Sequence, residues 1–346
     1  MSECPYCFCR DGEPHFSKCP IVNNSSQIQI DSLIPGTKLN DGRFQVGMTL
    51  NHGGFGITYL CNDNKFKRRV AIKEFFPDKY AERKTLQSNS VRYKDISRDA
   101  MEMMFTQFFR EYDIMVKAGS PGIPAVYGFF QENNSAYIAM DFIEGVTFLK
   151  YLQHCKTSPP WWELRKKFFL PLMNIVANVH RRGILHRDIS LVNLMITPEE
   201  RIFLLDFGAG RDFHERDTVE RLRFANKLYA PIEQTRPELG YNQGPWTDIF
   251  AMGTVFYKAI TGQYPPTALE RPQKAVDTAL SFVPDLPETI DNALMKALFY
   301  YPKHRFHSVS EFGKAIMLCP DPPVSEINNK IKIREWVKNI LHQNDK

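Results

Sequence analysis

The apolar pattern of the chain changes at Gly145, and this change limits the folds that the sequence can adopt. Before Gly145, short runs rich in β-branched and aromatic residues alternate with turn signals, which predicts about five strands. One amphipathic stretch in this part, DAMEMMFTQFFREYDIMVKAG, predicts a long helix that ends at a glycine. After Gly145, helical patterns dominate. The sequence therefore predicts an α+β chain with a small β-rich part and a larger, mainly helical part.

Two short motifs in the helical part carry oxygen atoms that could bind a metal ion. HRDISLVN contains Asp188 and Asn193, and IFLLDFG places Asp206 after an apolar run. One carboxylate can accept a hydrogen bond from a hydroxyl, while a second carboxylate and an amide oxygen suit Mg²⁺, which prefers oxygen ligands. Each motif alone is compatible with an ordinary loop, so it is their occurrence together that indicates a catalytic site.

A glycine-rich turn, NHGGFG at residues 51–56, lies between two predicted strands. Small residues in such a turn let backbone N–H groups approach a phosphate, although a simple hairpin turn is the alternative. The next strand, RRVAIKEF, contains Lys73, whose burial costs free energy unless it is paired or lies at an edge. Glu111 lies beside the buried face of the predicted helix and is the candidate partner; a solvated glutamate is the alternative.

The order of these motifs resembles the protein kinase family, and the resemblance covers residues 43–318. It extends to Glu233 in PIEQ, Asp248 in TDIFAMG and Arg305 in YYPKHRF, which distinguish protein kinases from small-molecule kinases. The phrases AIKEFFP, GGFGITY and YAPIEQ resemble bacterial serine/threonine kinases of eukaryotic type. The resemblance implies a bilobal fold with an N-lobe at residues 43–143 and a C-lobe at residues 144–318.

The resemblance also implies a catalytic role for each polar residue of these motifs. Asp188 would orient the substrate hydroxyl and accept its proton. Lys73, positioned by Glu111, would hold the α- and β-phosphates of ATP. Asn193 and Asp206 would hold Mg²⁺.

A further set of residues is implied to bind the nucleotide. The glycine-rich turn would cover the phosphates through Gly53, Gly54 and Gly56, with Phe55 at its tip. The adenine ring would lie between Leu50, Thr58, Ala71 and Met195. The gatekeeper position is Met140, and the hinge would run from Asp141 to Ile143.

Two positions depart from the family pattern. Asn51 replaces the first glycine of the turn, and we expect weakened nucleotide binding because of it. Ser190 replaces a lysine that would contact the γ-phosphate, and this loss should raise the barrier to transfer. Lys227 is our hypothesis for a substitute cation, since its segment passes near the catalytic aspartate in this family. An ordinary surface lysine is the alternative.

The implied function is ATP- and Mg²⁺-dependent transfer of the γ-phosphoryl group to Ser/Thr hydroxyls of protein substrates, with autophosphorylation. A phosphate on Thr218 could pair with Arg187 and order the activation loop. Tyrosine specificity is less favoured. Two other functions stay open, namely a pseudokinase scaffold that acts through the head or tail of the chain and a small-molecule kinase. The complete set of catalytic residues argues against the scaffold.

The first 20 residues form a compositionally separate head. Four of the seven cysteines fall within the first 19 residues. Tetrahedral Zn²⁺ suits the set Cys4, Cys7, His15 and Cys19, with Cys9 as a spare; free thiols or an intermolecular site are the alternatives. Residues 21–42 are predicted as a linker and residues 319–346 as a tail with an amphipathic helix. The head or the tail could dock a partner.

The composition of the chain limits the partners and the cellular location that we expect. The net charge of +5 is well short of that of a nucleic-acid-binding surface, so no nucleic-acid partner is expected. The sequence contains no run of 18 apolar residues, so we expect no membrane-spanning helix. The polar N-terminus does not resemble a secretion signal. We therefore expect the protein, with its clustered and dispersed cysteines, in a reducing cytoplasm.

Overall fold

The computed structural model describes residues 3–10, 12–23, 31–85, 88–155, 159–213, 226–319 and 341. Within these residues the chain forms two compact units. The first is built from residues 3–116 and 124–144 together with Leu341, and the second from Lys117–Ile123 and from residues 145–319. The described helices include none that is long and apolar enough to cross a membrane.

The elements of the first unit along the chain are α1 (Pro20–Asn23), β1 (Lys38–Leu39), β2 (Phe44–Gly53), β3 (Gly56–Asp63), β4 (Arg68–Phe75), β5 (Ala81–Glu82), β6 (Arg92–Tyr93), α2 (Arg98–Ala118), β7 (Val126–Glu132) and β8 (Ser135–Asp141). The unit is centred on an antiparallel sheet with the strand order β1-β2-β3-β4-β8-β7. The predicted turn ENNS joins β7 to β8, with Asn133 and Asn134 both in the left-handed conformation that such tight hairpins require.

The two faces of this sheet are covered by different parts of the chain. On one face, Phe75 and Ile138 pack against aromatic residues of α2, including Phe108. On the other face, Leu33 and Leu39 are buried in the core. The described part of the predicted linker, residues 31–42, is therefore folded onto the sheet.

The polar and charged sequence of residues 77–97 predicts a surface insertion or a short helix. Their described part forms the β5–β6 hairpin and no helix before α2 begins. Arg83 of this segment is buried and forms an ion pair with Glu74 at 2.5 Å. The hydroxyls of Tyr59 and Tyr137 each donate to the same carboxylate at 2.7 Å. The hairpin is thus anchored to β4 by a fully buried polar network.

The second unit is mainly helical. Its elements are β9 (Val146–Thr147), α3 (Phe148–His154), α4 (Trp161–Leu164), α5 (Leu170–Arg181), β10 (Ile184–Leu185), β11 (Leu194–Ile196), β12 (Ile202–Leu204), β13 (Arg211–Asp212), α6 (Ile232–Thr235), α7 (Pro245–Thr261), α8 (Glu288–Ala297) and α9 (Val309–Met317). The sequence makes Pro171 a candidate for a kink in this stretch. A π-helical turn, Arg165–Phe169, connects α4 to α5, and Pro171 is the second residue of α5. Two small sheets, β12-β11-β9 and β10-β13, complete the unit.

The helix α7 is buried along most of its length, in agreement with its apolar sequence. The rings of Phe256 and Phe169 stack with centroids 3.8 Å apart. Gly253 leaves room for α8, since an added Cβ would lie 3.1 Å from the Ala297 methyl group. The buried helix gives the unit a rigid base on which its loops are fixed.

The predicted tail, residues 319–346, is described only at Cys319 and Leu341. The backbone carbonyl of Leu341 accepts a hydrogen bond from the N–H of Ser17, at 2.6 Å. The rest of the predicted tail helix lies outside the described residues.

Candidate active site

Lys73 and Glu111 form an ion pair in the first unit. Strand β4 carries Lys73 and helix α2 carries Glu111, and the lysine Nζ lies 2.6 Å and 2.7 Å from the two carboxylate oxygens. The side chains are only 17% and 6% exposed, so each charge is held out of water and needs the other. The partner predicted for Lys73 is therefore confirmed, and the lysine is fixed in one orientation.

The glycine-rich turn joins β2 to β3 at Gly54 and Phe55. Gly56 admits no side chain, because a Cβ there would lie 2.5 Å from the backbone oxygen of Glu74 on β4. Gly54 has open space around it, with nothing within 4 Å of an added Cβ. Its carbonyl and that of Phe55 accept N–H groups from the segment after β4. Asn51, the departure from the family pattern, is exposed.

The residues predicted to contact adenine are distributed over both units. In the first unit, Ala71 on β4 is the direct cross-strand neighbour of Met140 on β8. The Asp141 carboxylate accepts the backbone N–H of Ala125 at 2.9 Å and the hydroxyl of Tyr127, so its side chain anchors β7. The remaining members are Leu50, Thr58 and Ile143 of the first unit and Met195 on β11 of the second, all of them partly buried.

Asp188 and Asn193 are held together in the loop between β10 and β11. The Asn193 Nδ2 donates to the Asp188 carboxylate at 2.8 Å and to the Asp188 backbone carbonyl at 2.9 Å. This leaves the amide oxygen of Asn193 available to a cation. Partial burial and the negative charge of Asp206 raise the pKa of Asp188 to about 7. A carboxylate with a pKa near neutrality is suited to accept a proton.

Asp206 follows β12 and is exposed, and its carboxylate accepts the N–H of Gly208 at 3.1 Å. Both Asp206 and Arg187 have positive φ angles, 60° and 69°, which are uncommon for residues with side chains. Such backbone strain concentrates at functional sites. The donor set of Asp206 and Asn193, a carboxylate and an amide oxygen, fits the preference of Mg²⁺.

A buried network fixes the backbone of the catalytic loop. The Asp248 carboxylate accepts the N–H groups of His186 and Arg187 at 2.9 Å and 2.7 Å. Burial alone would raise the pKa of Asp248, but the hydrogen bond and charge of His180 hold it below its usual value. The His180 Nε2 lies 2.7 Å from Asp248, and the Gln234 side chain donates to the Arg187 carbonyl at 2.8 Å.

The sequence predicted Asp248 but missed His180 and Gln234. His180 is a polar residue on an otherwise apolar helix, in VANVHRRG, and this was a usable signal. Gln234 lies beside the predicted Glu233 and gave no signal of its own, because its partner is a backbone carbonyl.

Glu233 and Arg305, both part of the family resemblance, form an ion pair in the second unit. The guanidinium contacts both carboxylate oxygens at 2.7 Å and 3.2 Å, and neither side chain is exposed. The Thr247 hydroxyl donates to Glu233 at 2.9 Å. The start of α6 is thereby tied to α7 and to the segment before α9.

Both residues of the cation hypothesis are described, whereas the threonine of the phosphorylation hypothesis is not. Ser190 is fully buried, and Lys227 is exposed in the turn that follows residue 225. Burial and Tyr264 raise the pKa of the nearby Tyr229, and the charge of Asp188 adds to this effect. Thr218 lies in 214–225, outside the described residues, and Arg187 is buried.

A cysteine–histidine cluster lies in the first unit and is formed by a separate set of residues near the N-terminus. Its ligand atoms come from Cys4, Cys7, His15 and Cys19 and all lie within 4.8 Å of one another. The Cys4 and Cys19 sulfurs are 3.7 Å apart, and His15 Nδ1 lies 3.2 Å and 3.7 Å from the sulfurs of Cys7 and Cys19.

These spacings match those of a tetrahedral zinc site. A Zn²⁺ ion with Zn–S bonds of about 2.3 Å holds two sulfur ligands about 3.8 Å apart. Burial opposes ionisation of Cys7, but hydrogen bonds from the Cys9 backbone and His15 lower the pKa of this thiol to about 7. Cys9 itself is buried and lies outside the four-ligand group.

Comparisons with known proteins agree with this geometry. Among curated proteins, PknA of Nostoc sp., named a serine/threonine-protein kinase, is 24% identical over 292 residues, covering 81% of this chain and 48% of the relative. PrkC of Bacillus subtilis, named likewise, is 25% identical over 288 residues, covering 81% and 41%. The chain thus spans less than half the length of these relatives.

Solved structures and a family model also match this chain. The apo form of PpkA-294 has a TM-score of 0.70 and 28% identity, and covers 83% of this chain and 99% of its own. The Mycobacterium tuberculosis PknI kinase domain has a TM-score of 0.60 and 22% identity, with 83% and 99% covered, and shares the fold. Residues 44–309 match the family model of the protein kinase domain, which is most of the chain. The chain therefore belongs to the protein kinase family.

Proposed function

We propose that the protein transfers the γ-phosphoryl group of ATP to Ser or Thr hydroxyls of protein substrates. The observation that carries the proposal is Asp188, oriented by Asn193 and with a pKa of about 7, in a loop whose backbone is fixed by Asp248. The names of the relatives, serine/threonine-protein kinases, support the choice of acceptor. The ion pair between Lys73 and Glu111 supports the binding of phosphates.

Each residue has a defined task in this reaction. Asp188 accepts the proton of the substrate hydroxyl as the hydroxyl oxygen attacks the γ-phosphorus and the bond to the β-γ bridging oxygen breaks. Lys73, held by Glu111, orients the α- and β-phosphates, and the backbone of the Gly54 turn covers them. Asn193 and Asp206 would hold Mg²⁺, which when bound neutralises phosphate charge.

The test is phosphoryl transfer from labelled ATP with Mg²⁺, to the protein itself and to a generic protein substrate, beside Asp188→Asn. We expect label on Ser and Thr from the wild type and a loss of about 10²-fold or more in the variant. Phosphoamino-acid analysis separates Ser/Thr from Tyr. Labelling no higher than in the Asp188→Asn protein would contradict the proposal and favour a scaffold. Label transferred only to small molecules would favour the small-molecule kinase.

We further propose that Cys4, Cys7, His15 and Cys19 hold a structural Zn²⁺ ion. The support is the spacing of the four ligand atoms, which suits a closed tetrahedral site. Metal analysis of purified protein should find one zinc ion per chain, and much less in Cys7→Ser. Cys9→Ser is the matched control, because Cys9 is buried in the same hairpin and is not part of the ligand set. Zinc absent from the wild type, or lost equally in both variants, would reject the site.

A further inference from the structure

The cysteine–histidine head, residues 3–19, is attached to β2 at a bulge. The register between β2 and β3 shifts between Val46 and Thr49, and Met48 has no partner position in this ladder. The Met48 N–H donates to the backbone carbonyl of Tyr6 at 2.8 Å. Tyr6 lies between Cys4 and Cys7, so the loop that carries two of the metal ligands supplies the acceptor for this strand.

Gly47 is the residue that permits this close contact. A Cβ at position 47 would lie 2.3 Å from the Tyr6 carbonyl oxygen and 2.6 Å from the ring of Phe8, and 3.0 Å from the Leu60 carbonyl. These distances are too short for non-bonded atoms, and two of the three obstacles belong to the head. Any larger residue at position 47 would therefore push the head away from β2.

The head also contacts two segments predicted to enclose adenine. The Lys18 ammonium donates to the carbonyl of Leu50, the last residue before the glycine-rich turn begins, at 3.2 Å. The ring of Phe16 packs edge-on against Phe142, in the middle of the hinge, with centroids 5.6 Å apart.

A cation–π contact strengthens the second of these links. The Arg69 guanidinium lies 5.1 Å from the centre of the Phe16 ring and also forms a 3.1 Å ion pair with Glu144, directly after the hinge. Head, hinge and β2 share one apolar cluster that contains Phe16, Met48 and Phe142.

We propose that the head is a positioning element for the nucleotide site, so that Zn²⁺ and ATP bind cooperatively. The inference rests on the proposed zinc site and on the proposed binding of ATP. A segment of this length cannot bury enough apolar surface to fold alone, so the metal supplies its order. The ordered head then fixes the backbone of residues 47–50 and of the hinge. A site fixed in advance loses less conformational freedom when its ligand binds, and therefore binds the ligand more tightly.

The first test compares nucleotide affinity in the full chain with and without zinc. A non-hydrolysable ATP analogue with Mg²⁺ is titrated by calorimetry into zinc-loaded protein and into protein stripped by a zinc-selective chelator. We expect affinity to fall by about tenfold on stripping, within the usual range of coupling between two sites. Circular dichroism confirms that the stripped protein is still folded. Equal affinity in the two forms would overturn the coupling.

The second test separates docking from metal binding. Gly47→Ala changes no metal ligand and no residue predicted to touch nucleotide, and should weaken binding of the analogue about tenfold while zinc stays bound. The matched control is Gly128→Ala on β7, where an added Cβ meets nothing within 4 Å. If Gly47→Ala fails to fold, Phe16→Leu tests the same link through the hinge. Affinities equal to that of the Gly128→Ala control would reject the role of docking.

The thermodynamic linkage between zinc binding and nucleotide binding gives a further measurement, which a purely structural role of the head would not affect. If zinc favours nucleotide binding, the nucleotide must favour zinc binding by the same factor. The equilibrium affinity for zinc, measured by competition with a colorimetric chelator, should therefore be higher with the analogue present, and this gain should be lost in Gly47→Ala. Absence of zinc from the wild type would reject the metal site, whereas bound zinc with no nucleotide binding would reject the kinase function. The two failures are thus distinguishable.

Discussion

Asp188 has an environment that favours its neutral form. Its folded-state pKa of about 7 lies above the ordinary value of 3.8, so the folded protein binds this proton more tightly than the unfolded chain does. The contribution of Asp188 to stability therefore falls as the pH rises from about 4 to about 7 in metal-free protein. Asp188→Asn removes this dependence because its side chain is always neutral.

We expect the melting temperature of Asp188→Asn, relative to wild type, to increase between pH 5 and pH 7.5 in the presence of a chelator. Each kcal/mol corresponds to about 2–4 °C for a domain of this size. Thermal unfolding monitored by fluorescence measures the difference. Asp285→Asn, the same change of residue type at an exposed aspartate, is the control. A difference that does not depend on pH would contradict the assigned environment.

The absence of a lysine at the position of the buried Ser190 leads to a prediction for Lys227. If Lys227 supplies the cation that the loop lacks, Lys227→Ala should lower kcat about 100-fold, as the loss of one stabilising group for transition-state charge does. The melting temperature should not change, because the side chain is exposed. Lys303→Ala, at another exposed lysine of the second unit, is the control. Turnover close to that of the wild type would reject the hypothesis.

At the scale of elements, the β5–β6 hairpin is fixed by one buried ion pair. Arg83→Ala would leave Glu74 buried and without its cation, although two tyrosine hydroxyls remain. Breaking a buried pair in this way costs about 3–5 kcal/mol of stability. Urea unfolding should show this loss, and Arg83→Ala with Glu74→Gln should recover part of it. An unchanged unfolding midpoint in the single variant would show that the pair contributes nothing.

Long elements with a clear period were predictable from sequence, and short ones were not. The helices α2 and α7 have apolar residues in an amphipathic or continuous pattern over 21 and 17 residues. The strands β5 and β6 have two residues each, too few to show any period. The burial of Arg83 depends on Glu74 and two tyrosines from other strands, which no local pattern reveals. Glu111 was a candidate partner for Lys73 because of its place beside the buried face of the helix, and the family resemblance then linked the two residues.

At the scale of the whole molecule, the head belongs to the first compact unit, although its composition made it look separate. Its attachment includes the close approach at Gly47 and the backbone hydrogen bond from Met48 to Tyr6, neither of which has a compositional signature. Removal of zinc should therefore affect the first unit more than the second. Hydrogen exchange should become faster in residues 44–63 and stay slow in Pro245–Thr261 of α7. A uniform increase in exchange over both segments would contradict this assignment.

The bulge in β2 has a practical consequence for producing the protein. A recombinant fragment that begins at Phe44 would keep every residue assigned to phosphoryl transfer and would still lack the Tyr6 carbonyl. The Met48 N–H would lose its acceptor, and Met48 and Leu60, now buried, would be uncovered. An uncovered apolar strand beside an unpaired N–H invites pairing with another chain. We therefore expect a fragment without the head to have a lower yield and a lower solubility than the longer protein. The cysteine-rich head should be kept in protein prepared for crystallisation.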